Sequence, residues 1–92
     1  MKYTKKPTKL FLKKLSKYSK TNKKLYKNIL DSLDIITKKP FDIQNKELIS
    51  KKCPKCKRYR IGKYRIVYYV NTKKGFVDFI DVDDRSSIYR KY

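Results

Sequence analysis

The sequence predicts an α+β fold: two N-terminal antiparallel helices packed on one face of a small, mainly antiparallel sheet, with a short C-terminal tail or helix. Three observations carry this. Apolar residues recur at helical spacing between Thr8 and Lys38. From Arg58 onward the period drops to two. A turn ending in glycine, "NTKKG" at 71–75, separates two of the alternating runs. At 92 residues the chain is expected to form one domain over 1–92.

"MKYTKK" at the start reads as a short first strand. From Thr8, apolar residues follow at Leu10, Phe11, Leu12, Leu15 and Tyr18, and Phe11, Leu15 and Tyr18 keep the i, i+4, i+7 spacing of one helix face. "SKTNKK" breaks the pattern, and Thr21 or Asn22 can cap a second helix. That helix sets Leu25, Ile29, Leu33 and Ile36 on one stripe, with Tyr26 and Leu30 beside it; Pro40 ends it. Residues 41–56 are mixed and polar. They read as a loop anchored around Leu48 and Ile49 and carrying Cys53 and Cys56.

In "RYRI", Arg58 and Arg60 face one way and Tyr59 and Ile61 the other. Gly62 with Lys63 makes a tight connection. "YRIVYYV" then sets Tyr64, Ile66, Tyr68 and Val70 on one face and Arg65, Val67 and Tyr69 on the opposite one. "FVDFIDV" is the next strand, and "DDRSSIYRKY" a short tail. Tight turns between successive strands imply antiparallel pairing. Two helices cover one face of such a sheet, with Tyr64 and Tyr68 in the core. Arg58, Arg60 and Arg65 are left on the other, concave face.

Composition narrows the partners. The formal net charge is +19, with 27 Lys plus Arg against 8 Asp plus Glu. Such a field draws polyanions: nucleic acid, an acidic protein or an anionic membrane. No histidine is present, which removes the usual general base and the usual metal ligand together. Two cysteines cannot frame a secreted disulfide domain. "CPKC" is half of a zinc ribbon whose other half is missing, so it is read as a loop feature with no metal and no catalytic part. The start lacks an apolar signal region, and no run approaches the ~18 apolar residues of a membrane helix. A cytoplasmic protein is expected.

Arginine offers a flat fork of five donors that fits phosphate as lysine does not. Placing Arg58, Arg60 and Arg65 on one sheet face therefore points to a phosphate-bearing ligand. A plainer reading has these arginines solubilise an exposed face, with Arg65 paired to Asp78 or Asp81, Arg85 paired to Asp83 or Asp84, and Tyr89 packed as tail.

The run Arg58-Tyr59-Arg60-Ile61-Gly62-Lys63-Tyr64-Arg65-Ile66-Val67-Tyr68, followed by Arg85-Ser86-Ser87-Ile88-Tyr89, resembles the core and closing motifs of the RelE/ParE toxin superfamily. "FLKKLSK" and the stripe ending at Pro40-Phe41 match more loosely. The resemblance to the RelE branch implies a ribosome-dependent endoribonuclease that cuts mRNA in the ribosomal A site by metal-free 2′-OH attack. It needs no cofactor, and a RelB-like antitoxin silences it. It implies functional roles for Arg58, Arg60, Arg65, Arg85 and Tyr89. ParE relatives share the fold but act by binding DNA gyrase, and a generic RNA-binding module is a third reading. The chain departs from RelE at the base: Arg58 and Arg60 stand where lysines are frequent, and Asp84 precedes Arg85. Tyr89, Asp83, Asp84, Lys51, Lys52, Lys55 and Lys57 are the candidates for that role.

Overall fold

The computed structural model describes residues 3–42, 45–48 and 50–92. The elements run β1 (Thr4–Pro7), α1 (Lys9–Thr21), α2 (Lys23–Lys38), β2 (Lys57–Ile61), β3 (Tyr64–Asn71), β4 (Phe76–Asp84) and α3 (Arg85–Lys91). One sheet has the order β1-β4-β3-β2. Its β2–β3 and β3–β4 pairs are antiparallel, whereas β1 runs parallel to β4 with Thr4 opposite Phe76. The expected first strand is thus present over Thr4–Pro7; Met1 and Lys2 lie outside the described residues.

Both long helices start where short polar side chains can satisfy their free N–H groups. The Thr8 hydroxyl accepts from the Phe11 amide at 3.2 Å, and the Asn22 side chain accepts from that of Leu25 at 3.1 Å. Asn22 also donates its own backbone N–H to the Tyr18 carbonyl, closing α1 and opening α2 at one residue. The predicted stripes are the buried ones: Phe11 and Tyr18 on α1, and Leu25, Ile29, Leu33 and Ile36 on α2. Leu10, Leu12 and Leu30, off those stripes, are exposed. Against them lie Ile66, Tyr68 and Val70 of β3 with Val77, Phe79 and Val82 of β4. Burial pushes the Tyr68 hydroxyl up to about 12, and it donates to the Pro40 carbonyl at 2.8 Å, where α2 has ended.

The opposite face is covered over part of its length, because the tail forms α3 and packs there. Ile88 meets Val67, Leu48 and Cys56 in a second small core, flanked by Tyr69, Ile80 and Tyr92. Leu48 is thus the anchor expected in the loop; Ile49, named with it, lies outside the described residues. Cys53 and Cys56 are joined as a disulfide at the base of β2. Gly62 sits at φ +54° in the two-residue β2–β3 turn, a conformation that side chains strain to adopt.

Candidate active site

Strands β2 and β3, the loop before β2 and α3 converge on one cavity. Strand β2 presents Arg58 and Arg60 by alternation, since Tyr59 and Ile61 pack toward the helical core. Strand β3 presents Arg65, and α3 presents Arg85 and Tyr89 one turn apart. All five line one cavity of about 320 Å³, together with Lys46 from the loop before β2. The structure therefore brings together the five residues to which the motif resemblance gave functional roles.

Arg65 corrects one expectation. Its side chain does not lie on an open face but is only 9% exposed. One terminal nitrogen of its guanidinium, Nη1, donates to the Gly62 carbonyl at 2.9 Å and to the Tyr64 carbonyl at 2.8 Å. Those bonds use both Nη1 protons, leaving Nε–H and the Nη2 pair for a ligand. The anchor is the turn itself, and no carboxylate is needed to hold Arg65. Asp81, one of the two partners that the plainer reading offered, is occupied by Lys14, Lys91 and Tyr92.

Arg85 is fixed by its backbone, whose N–H donates to the Lys63 carbonyl at 2.9 Å, beside the turn that holds Arg65. Its guanidinium lies 5.4 Å from the Tyr89 ring centre, and that of Arg58 lies at the same distance. Both are within the range of cation–π attraction. Arg58 also donates to the Tyr89 hydroxyl at 2.5 Å. Partial burial pushes that hydroxyl up. The Arg85 guanidinium at its oxygen and the charges of Arg58, Arg85 and Arg65 outweigh this and hold its pKa below the usual tyrosine value.

The two acidic candidates for a base are engaged elsewhere. Asp84 caps α3, accepting from the Ser87 amide and hydroxyl, both at 2.9 Å, and these bonds lower its pKa. Asp83 accepts from Lys14 at 3.0 Å. The lysines fare no better. Lys51 and Lys52 line a different cavity with Arg90 and Lys91, and Lys55 and Lys57 line another with Phe41 and Tyr69. The lysine that does reach the site, Lys46, was not among the candidates. Its carbonyl accepts from the Arg58 amide at 2.9 Å, and the neighbouring Glu47 bridges to Lys57. This short backbone pairing across the loop has no signature in a polar stretch of sequence.

No group of three or more histidine, cysteine or acidic side chains among the described residues could hold a metal. Five cationic side chains and one phenol line the cavity, a lining whose charge favours an anion.

A family model described as the ParE toxin of type II toxin–antitoxin systems, parDE, matches residues 6–89. A search of curated proteins finds no match. Among solved structures, the isolated E. coli RelE toxin superposes with a TM-score of 0.73 at 26% identity, covering 97% of this chain and 93% of that one. The archaeal RelE–RelB complex from Pyrococcus horikoshii gives 0.68 at 26% identity, covering 92% and 97%. The RelBE2 toxin–antitoxin complex from Mycobacterium tuberculosis gives 0.79 at 20% identity, with 94% of each chain covered. The fold, the order of the two motifs and the match over 6–89 agree, and the chain belongs to the ParE toxin family of type II toxin–antitoxin systems, within the RelE/ParE superfamily.

Proposed function

We propose that this toxin is a ribosome-dependent endoribonuclease of the RelE kind, cleaving mRNA in the ribosomal A site. The observation that carries the reading is the cavity that Arg58, Arg60, Arg65, Arg85 and Lys46 line together with Tyr89, whose hydroxyl accepts from Arg58. In-line cleavage has the ribose 2′-OH attack its own phosphorus while the 5′ oxygen leaves. Tyr89 takes the 2′ proton. Its ionised form is the one that Arg58 and Arg85 favour, and the hydrogen bond from Arg58 orients its oxygen. The free N–H groups of Arg65, with Arg60 and Arg85, meet the charge that builds on the non-bridging oxygens. Lys46 returns a proton to the departing 5′ oxygen, a task for which an ammonium is far better suited than a guanidinium. The products are a 2′,3′-cyclic phosphate and a 5′-hydroxyl. Positioning of the message by the ribosome supplies the rest, since orientation alone can contribute about 7–11 kcal/mol to such a barrier.

The high positive charge suits entry among ribosomal RNA. A RelB-like antitoxin, expected to be acidic, is the protein partner; relatives have been solved as RelB–RelE complexes. A cytoplasmic setting accords with the same reading, and no described helix is long and apolar enough to cross a membrane. The match to a ParE model supports a second reading, inhibition of DNA gyrase by binding. Purified protein added to translating ribosomes, with message ends mapped by primer extension, decides between them. Cuts within A-site codons are expected. Intact message together with inhibited gyrase would reverse the order.

A further inference from the structure

At the far end of α3 lies a buried carboxylate that the chemistry above does not use. Asp81 on β4 is fully buried. Its Oδ1 accepts from Lys14 of α1 at 2.6 Å and from the Val82 amide at 2.8 Å. Its Oδ2 accepts from Lys91 of α3 and from the Tyr92 hydroxyl, both at 2.9 Å. Strict alternation along β4 would put Asp81 beside Val77 and Phe79, in the helical core. Instead the register slips: Tyr68 faces Phe79, but Val67 faces Asp81, so Ile80 is an extra residue. This bulge sends Val82 into the core and turns Asp81 toward α3.

Helix α3 depends on such contacts. It has seven residues and buries only Ile88. A helix this short does not persist in water on its own propensity. Its first turn is held by the Asp84 cap and by the Arg85 amide on Lys63. Its last turn is held by Lys91 and Tyr92 on Asp81. Tyr89 sits between the two attachments.

We propose that Asp81 is a positioning residue for Tyr89: its buried carboxylate fixes the last turn of α3 through Lys91 and Tyr92, and so holds the Tyr89 hydroxyl against Arg58. Its bearing on catalysis rests on the reading of Tyr89 as the group that takes the 2′ proton. The groups facing Asp81 are Lys14 of α1, Asp83 beyond the bulge, and Lys91 and Tyr92. Those sharing the cavity with Tyr89 are Arg58, Arg60, Arg65, Arg85 and Lys46.

The test is Asp81→Asn in the full chain, labelled at the tyrosine ring carbon that bears the hydroxyl. The Tyr89 resonance is assigned by its loss in Tyr89→Phe. Freed from Arg58, Tyr89 should titrate at higher pH in Asp81→Asn than in the parent. On ribosomes, kcat should fall by about 100-fold, the effect of roughly 1 Å of misplacement, with KM little changed. A folded Asp81→Asn protein whose Tyr89 shift and titration match the parent would overturn the proposal, whatever its melting temperature. Should that variant not fold, Tyr92→Phe and Lys91→Met each remove one attachment and are judged by the same titration. Absence of cleavage by the parent would sink the nuclease reading alone, because the titration needs no RNA.

Discussion

Replacing Arg65 by lysine keeps the charge and removes the fork, and so tests what the guanidinium contributes. On the proposed reading Arg65 does two jobs with separate nitrogens. Nη1 is bound to the carbonyls of Gly62 and Tyr64 at 2.9 and 2.8 Å, while Nε and Nη2 remain for the phosphate. A lysine has one nitrogen for both. Hydrogen bonds to a charged group contribute about 1.5–3 kcal/mol each. Gly62 is exposed, so water can replace part of what is lost there. The net cost of Arg65→Lys is then about 1–2 kcal/mol, a fall in Tm of roughly 4–16 °C for a chain of this size. Cleavage should suffer far more. Losing an oriented donor to developing charge costs about 100- to 1,000-fold in kcat. Circular-dichroism melting and primer extension on ribosomes, run on the same preparation, measure the two effects. Cleavage within about threefold of the parent, a barrier change under about 0.7 kcal/mol, would refute the division of labour between the nitrogens.

Leu33→Ala should act in the opposite sense. Leu33 is buried in the α2 stripe, so its truncation should cost about 2–5 kcal/mol while leaving the cavity residues in place. An unchanged melting curve would show that this stripe is not the core contact described. The cleavage rate should rise with pH as Tyr89 loses its proton. Because its cationic neighbours lower its pKa, the rise should come below the ordinary tyrosine value of about 10. Tyr89→Phe should abolish that rising limb in single-turnover measurements, and a limb that survives the change would assign the base elsewhere.

Local patterning determined a good deal of this protein. The spacing of Phe11, Leu15 and Tyr18 and of Leu25, Ile29, Leu33 and Ile36 is a property of a single helix, so both stripes were legible without the fold. Alternation likewise set Tyr59 and Ile61 apart from Arg58 and Arg60, because side chains change face at each residue of a strand. The two motifs together named the five residues that now share a cavity. Contacts between distant segments were a different matter. The length of α3 and its packing on Val67 depend on what it meets, not on its own seven residues. Lys46 enters the site because its backbone pairs with Arg58, twelve positions on, and no periodicity records such a pairing. The bulge at Ile80 reverses the face of Asp81, and only the partner strand reveals that one residue is unmatched. Short-range spacing thus chose which side chains could serve, while the closing of α3 over the sheet decided how buried each is and which atoms it has free.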